Sequence, residues 1–325
     1  MTLYRMIRTW KIDHSAMHDG PGIRTSLYLK GCSLRCIWCS NPEGQAFEPH
    51  LVFLQSRCIG CGLCAERCPV RAIEFEKESG SQTPRIKVIP SLCHRCGECL
   101  SVCSPKALEI WGTDYDLPEI MAMVEKNRAI YRRSGGGMTL TGGDPLFQWE
   151  SSLELLKQCG KRGIHTVVET SAYAEEEPFE RILGEIDWLF IDLKHMDPEE
   201  HLRLTGRGND LILRNVKRAS SVLKKRNREL VIRMVVVPGI NNGDNIQEAA
   251  EFLSSLPYVK GVEFLPYHHY GAVKYDLLNR PYSLPDLKPP SEELIESCRK
   301  AIIAFGLNRT RLEQSRNQRL LFKEL

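Results

Sequence analysis

No run in this 325-residue chain approaches the roughly 18 consecutive apolar residues of a membrane-spanning helix, so no transmembrane segment is expected. Arg5, Arg8 and Lys11 near the N-terminus have no apolar stretch behind them, which argues against a secretory signal peptide. Neither sign of charge is in useful excess. The balance of 44 Lys and Arg against 41 Asp and Glu leaves +3, too little to argue for a nucleic-acid or membrane partner. Thirteen cysteines are too few to scaffold a chain of this length with disulfides. Eleven of them fall in three tight clusters, which is the pattern of metal ligation by thiolates in a reducing compartment, and a cytoplasmic location is expected. With 42% hydrophobic and 26% charged residues, the chain has a globular composition and room for one large domain plus a small one.

The first cluster also lacks something. In Gly31-Cys-Ser-Leu-Arg-Cys-Ile-Trp-Cys39, the thiols of Cys32, Cys36 and Cys39 follow a C-x3-C-x2-C spacing with no fourth cysteine beside them. Iron–sulfur cubes are usually held by four thiolates, so three leave one iron without a protein ligand. An open metal position is the mark of a catalytic site. A zinc knuckle or a disulfide cluster is the structural alternative.

The other two clusters are complete. Cys58, Cys61, Cys64 and Cys68, followed by Pro69, and then Cys93, Cys96, Cys99 and Cys103, each read C-x2-C-x2-C-x3-C, the bacterial two-cluster ferredoxin run. In that run the last cysteine serves the other cube. One cluster is therefore expected on Cys58, Cys61, Cys64 and Cys103, and the other on Cys93, Cys96, Cys99 and Cys68. Ser104 stands between Cys103 and Pro105, so the usual Cys-Pro step is missing there without loss of a ligand. Structural zinc is again the alternative. His94, beside Cys93, is not needed as a ligand. Cys159 and Cys298 stand alone on helical patterns and are expected to be inert core residues.

Around this segment, apolar strand-like runs at 25–30, 138–141, 165–169, 188–193, 230–237 and 262–266 alternate with helical patterns, for example 117–133, 151–162, 212–225 and 245–256, with a last helix near 291–305. The alternation predicts an α/β fold with parallel strands and right-handed crossovers. Six units are fewer than the eight of a closed TIM barrel, so a partial (β/α)6 barrel is expected. The domains are then 1–47 with 113–325 as the barrel, and 48–112 as a ferredoxin-like insert between the first strand and the first helix.

Chemistry in such barrels sits at the C-terminal strand ends, and each remaining motif falls there. Gly142-Gly143-Asp144 ends the second strand, where glycine admits close backbone approach to a ligand; a helix-capping Asp144 is the plain alternative. Glu169-Thr170-Ser171 ends the third. Asp192-Leu193-Lys194 ends the fourth and puts Asp192 and Lys194 on one face, as a ligand grip or as an ion pair of little worth. Arg233 lies inside a buried strand and needs an anionic partner, a ligand carboxylate or a protein one. His268 ends the sixth strand, as a ligand contact or a satisfied core histidine.

Together these runs resemble the glycyl radical enzyme activating enzymes of the radical S-adenosylmethionine (SAM) superfamily, typified by pyruvate formate-lyase activating enzyme, and within them the subgroup carrying two extra clusters. The resemblance rests on Asp19-Gly-Pro-Gly-Ile-Arg24, the three-cysteine loop with Trp38 and Asn41-Pro42-Glu43, Gly136-Gly137, Gly142-Gly143, Asp192-Leu-Lys194, Val235-Val-Val-Pro-Gly239 and Leu265-Pro-Tyr-His268. It implies an oxidoreductase with three [4Fe–4S] clusters. A cluster on Cys32, Cys36 and Cys39 passes one electron to SAM, releasing methionine and a 5′-deoxyadenosyl radical that takes hydrogen from a backbone glycine of a partner glycyl radical enzyme. Partners of the relatives include arylacetate decarboxylases, diol dehydratases, choline trimethylamine-lyase and benzylsuccinate synthase.

The resemblance further implies that SAM is held by Trp38, Cys39, Ser40, Gly142, Gly143, Asp144, Thr170, Ser171, Asp192, Leu193, Lys194, Arg233 and His268. Lys194 is counted with the three cysteines as catalytic. The family motif usually has Glu where Asp144 stands. A monovalent cation would fall at Glu169, Thr170 and Asp192, although the family's first residue there is Asp. A reduced flavodoxin or ferredoxin is the implied electron donor, and a monomer is expected. Potentials near about −400 mV suit the accessory clusters to a relay, with a structural or docking role as the other possibility. The rivals are a polyferredoxin-like electron carrier, which needs no SAM cradle, and a radical SAM enzyme acting on a small molecule or nucleic acid, for which the chain beyond the sixth strand leaves little room.

Overall fold

The computed structural model describes residues 6–76 and 85–307. In chain order the strands and helices are β1 (Met6–Ala16), β2 (Arg24–Leu29), β3 (His50–Phe53), α1 (Leu63–Arg67), β4 (Ile73–Glu76), β5 (Arg85–Val88), α2 (Glu98–Ser101), β6 (Leu108–Trp111), β7 (Thr113–Asp116), α3 (Leu117–Lys126), α4 (Arg128–Ser134), β8 (Gly137–Gly142), α5 (Trp149–Lys161), β9 (His165–Thr170), α6 (Glu176–Leu183), β10 (Trp188–Asp192), α7 (Pro198–Thr205), α8 (Asp210–Arg226), β11 (Glu229–Val236), α9 (Asp244–Ser254), β12 (Gly261–Pro266), α10 (Ala272–Leu277) and α11 (Glu292–Ala304). Among the described residues, no helix is long and apolar enough to cross a membrane.

The main sheet has the order β12-β11-β10-β9-β8-β2-β1-β7. Six strands, β2 and β8 to β12, run parallel in chain order with helices between them, which makes the partial (β/α)6 barrel. β1 and β7 extend it by antiparallel pairing. They carry no apolar run: β1 mixes Arg8, Lys11 and Asp13 with Ile7 and Ile12. β7 covers only residues 6–9 of β1, so 11–16 form an exposed edge, where charged side chains discourage pairing with other chains.

Outward-facing residues such as Leu27, Leu140, Val168, Ile191, Ile232 and Phe264 pack beneath the helices in one large core. Each fully buried Leu or Ile there contributes about 1.5–3 kcal/mol. Facing inward, Val167, Phe190 and Val231, with Trp188 packed against them, form a small apolar floor. Above them the inner face carries Thr141, Glu169, Asp192, Arg233 and Glu263. That departs from the apolar strands usual in parallel sheets and marks the interior as the place of chemistry.

The helical pattern at 117–133 is two helices. α3 opens on a capping box between Asp116 and Glu119. It stops at Asn127, whose side chain leaves the helix to donate to Thr25 Oγ1 (2.9 Å) and the His14 carbonyl (3.2 Å).

Between β2 and β7 lies a small unit of two antiparallel pairs, β3 with β6 and β4 with β5. The one-turn helices α1 and α2 start at Gly62 (φ 76°) and Gly97 (φ 82°), both left-handed, where L side chains are strained. Cys64, Ile73, Cys99 and Leu108 form its core.

Candidate active site and cluster sites

The loop carrying Cys32, Cys36 and Cys39 is pinned by backbone at the mouth of the barrel. Gly143 N–H donates to Leu29 O and Asp144 N–H to Gly31 O, both at 2.8 Å. Gly31 N–H then reaches Gly44 O (2.8 Å) and Cys32 N–H reaches Gln45 O (3.0 Å). A side chain on Gly143 would put its Cβ 2.3 Å from Gly31 O and 2.4 Å from Gly44 O; one on Gly142 (φ 106°) would come within 2.4 Å of Leu29 N. The sequence places these glycines beside a ligand. What they admit here is backbone: the end of β2 at Gly142, and the chain on either side of the cysteine loop at Gly143. At the loop's other side, Arg35 N–H and Ile37 N–H donate to Thr205 O (2.7 Å) and Leu204 O (3.1 Å) at the end of α7. Leu34, Cys36 and Trp38 are buried against Leu204, Val237 and Tyr267.

Burial pushes the Cys36 thiol up to about 12, with Lys194 pulling the other way, and raises Cys32 and Cys39 as well. Thiols so disfavoured as free thiolates would bind a metal only with loss of their protons.

Asp192 and Lys194 face this loop from the end of β10, their charges 3.2 Å apart. Burial works against the Lys194 ammonium, but Asp192 and Cys36 outweigh it and hold its pKa above the ordinary range. The Lys194 carbonyl is fixed by Asn241 Nδ2 (3.2 Å), which also bonds Val235 O (2.7 Å). Asn245 in turn holds Asn241 O at 2.7 Å. Asn241 and Asn245 are site-building residues that nothing in the sequence pattern singles out.

Asp144 is wholly committed. Its carboxylate accepts from Leu146 N–H (3.0 Å), Thr170 Oγ1 (2.7 Å), Ser171 N–H (2.9 Å) and Ser171 Oγ (2.6 Å). The capping alternative is therefore what the side chain does, and it also joins β8 to β9. Arg233 has protein partners on every side. Nε donates to Glu263 (2.7 Å), Nη1 to Glu169, Nη2 to His18 O (3.0 Å), and the guanidinium stacks 3.7 Å over Phe190. The ion-pair alternative is the one seen at this position. Leu193 turns its side chain outward into the main core, so only its backbone faces the site. Ser40 lies on the loop beside Cys39, half-buried. His268 is exposed, its ring stacked on Tyr270 at 4.7 Å, apart from the buried site groups. The three positions suggested for a cation each have a partner already: Glu169 with Arg233 and Thr141, Thr170 with Asp144, Asp192 with Lys194.

A clamp on the cysteine loop comes from α10. Lys274 Nζ donates to Ser40 O (3.0 Å), Asn41 Oδ1 (3.0 Å) and the fully buried Glu43 (2.5 Å), and Tyr275 OH reaches Cys39 O at 3.1 Å. Gly271 packs so closely that a Cβ would lie 2.8 Å from the Ser40 backbone.

In the small unit, Cys58, Cys61, Cys64 and Cys103 line one small cavity, and Cys68, Cys93, Cys96 and Cys99 line another. Each groups three cysteines of one run with the last of the other, a donor set that fits a four-iron cube. Among the described residues, no three His, Cys, Asp or Glu side chains sit where they could share a single metal ion.

Comparison with known proteins agrees with this geometry. Residues 93–253 match the radical SAM superfamily and residues 57–107 a 4Fe-4S dicluster domain. The trans-4-hydroxy-L-proline dehydratase activating enzyme of Clostridioides difficile is 38% identical, the match covering 90% of this chain and 95% of that one. The indoleacetate decarboxylase activating enzyme of Tractidigestivibacter scatoligenes is 35% identical over 91% and 94% of the two chains. In structure, Streptococcus suis SuiB bound to precursor peptide SuiA shares the fold at a TM-score of 0.51 and 14% identity, covering 89% of this chain and 48% of that one. A SAM-binding 4Fe-4S cluster and accessory 4Fe-4S clusters follow from the two domains. This chain belongs to the glycyl radical enzyme activating enzymes of the radical SAM superfamily.

Proposed function

We propose that Cys32, Cys36 and Cys39 hold the SAM-cleaving cluster and that the two four-cysteine cavities hold the accessory clusters. The observation that carries this is the half-buried Asp192–Lys194 pair set against Cys36 at the C-terminal ends of the parallel strands. When bound, the reduced cluster supplies the electron that cleaves SAM to methionine and a 5′-deoxyadenosyl radical. The chain's own residues hold SAM there. Lys194, kept charged by its neighbours, takes the SAM carboxylate, a contact better assigned to it than to Arg233, which already serves two protein carboxylates. Asp192 faces the ribose. The N–H groups of Gly143 and Asp144 are spent on the end of β2 and the start of the cysteine loop, so the turn offers carbonyl oxygens, the right polarity for the SAM ammonium. Trp38 and Tyr267 close the apolar side of the loop against water.

The protein substrate is a glycyl radical enzyme of dehydratase, decarboxylase or C–N lyase type, the classes named for the relatives of this chain. The barrel spans 1–47 and 113–325, with 48–112 as its ferredoxin-like insert. A reduced flavodoxin or ferredoxin supplies electrons, and the protein works as a cytoplasmic monomer. Incubation of the reconstituted chain with SAM, a reductant and such a partner should produce a glycyl-radical EPR doublet on the partner. No doublet with any of the three types, from a chain that does cleave SAM, would refute the assignment of the protein substrate.

A further inference from the structure

The two four-cysteine cavities stand at different distances from the barrel. The β3–β6 pair leads out from it: Trp111 is followed by Gly112 and then by β7, which is hydrogen-bonded to β1 of the main sheet. The near end of that pair is His50 opposite Trp111, and the far end is Phe53 opposite Leu108. Leu51 and Ile110, facing each other one step from the near end, line the cavity of Cys68, Cys93, Cys96 and Cys99. Ala107 and Leu108, at the far end, line that of Cys58, Cys61, Cys64 and Cys103. The two levels differ by two residues of strand, about 7 Å at roughly 3.4 Å per residue.

A second observation agrees. A cleft opens between the insert and α10, with Cys93 and Arg95 on one wall and Asp276 and Asn279 on the other. No cysteine of the Cys58 set lines it. α10 is the helix that grips the three-cysteine loop through Lys274 and Tyr275. His50, also on the cleft, lies 3.0 Å from the ammonium of Lys30, two residues ahead of Cys32.

We propose that the insert has an inner and an outer site: Cys68, Cys93, Cys96 and Cys99 hold the cluster next to the three-cysteine loop, and Cys58, Cys61, Cys64 and Cys103 hold the one left to face a donor protein. The proposal rests on reading both sets as cluster sites. The donor, a low-potential one-electron carrier protein, is oxidised by one electron for each electron gained at the three-cysteine loop, and no atom or proton passes between them.

The test is EPR on the full chain, reconstituted anaerobically, reduced with dithionite and frozen with and without SAM. The signal that changes with SAM belongs to the three-cysteine site. In the unsubstituted protein it should be broadened and fast-relaxing through coupling to a reduced neighbour. Cys96→Ser should abolish that coupling, and Cys61→Ser should leave it intact. The reverse pattern, or equal coupling in both variants, overturns the proposal. Iron analysis separates this from failure of the underlying reading: unsubstituted chain binding only about 4 irons, not about 12, would mean the insert holds no clusters at all. If a variant does not fold, iron-edge anomalous scattering from crystals of the unsubstituted holoenzyme decides the order. The centre nearest the three-cysteine loop is expected between Cys93 and Cys68, and a nearer centre in the other set overturns it.

Discussion

The Asp144 carboxylate takes both the backbone N–H and the hydroxyl of Ser171, at 2.9 and 2.6 Å, and so ties the end of β8 to the end of β9 beneath the cysteine loop. With Thr170 Oγ1 and Leu146 N–H it satisfies four buried donors. Asp144→Ala strands them all and should cost about 2–4 kcal/mol of stability. Asp144→Asn keeps one oxygen and should cost less. Denaturant unfolding of the two variants checks the ranking; equal losses would contradict it.

The Lys274–Glu43 pair should behave as a latch. Glu43 is fully buried and its second oxygen, Oε2, has no hydrogen-bond partner, so Lys274→Met leaves its charge with the Lys30 ammonium, bonded to the Glu43 carbonyl, as its nearest compensation. With Lys274 partly exposed, breaking the pair from one side should cost about 1–3 kcal/mol. Removing both ends with Lys274→Met and Glu43→Gln should cost less than the two single changes summed, and thermal unfolding of all three variants reads the difference. Strict additivity would show that the pair does not couple α10 to the loop.

Lys194→Gln should weaken SAM binding by about 10- to 100-fold, the loss of one charge-assisted contact of roughly 1.5–3 kcal/mol. All three clusters should still load, since Lys194 ligates none. Titrating the SAM-dependent EPR change against SAM concentration measures the shift. Unchanged affinity would move the carboxylate contact elsewhere.

His50 gives the fold a defined acid sensitivity. Burial, with Lys30, Arg280 and Arg95 nearby, pushes it down to about 4 from 6.5. The folded protein thus binds fewer protons than the unfolded one between those values, so this contribution is present above pH 6.5 and is lost as the pH falls towards 4. In His50→Gln, stability should fall less steeply across that window. Parallel curves for the two proteins would rule out His50 as the cause.

Much of this was legible in the sequence because it is written locally. The six parallel strands show as apolar runs buried on their outer face, and the cysteine sets as fixed short spacings. β1 and β7 were not legible, since their polar residues at a sheet edge carry no periodic signal. Nor was the clamp: Lys274 and Ser40 lie 234 positions apart, and nothing around Lys274 distinguishes it from a surface lysine. Arg233 was legible as a charge needing a partner, but sequence does not say that Glu263 on the adjacent β12 and Glu169 on β9, two strands away, reach it across the inner face. The double glycine at 142–143 was visible, yet its reason is a backbone crossing that only the fold creates.

The claim on which the rest depends is that the three-cysteine loop cleaves SAM. The measurement is 5′-deoxyadenosine formed by anaerobically reconstituted protein given dithionite and SAM, beside Cys36→Ala. Product from the unsubstituted chain and none from the variant is the predicted result. No product from a chain loaded with about 12 irons, or equal product from both proteins, would contradict it.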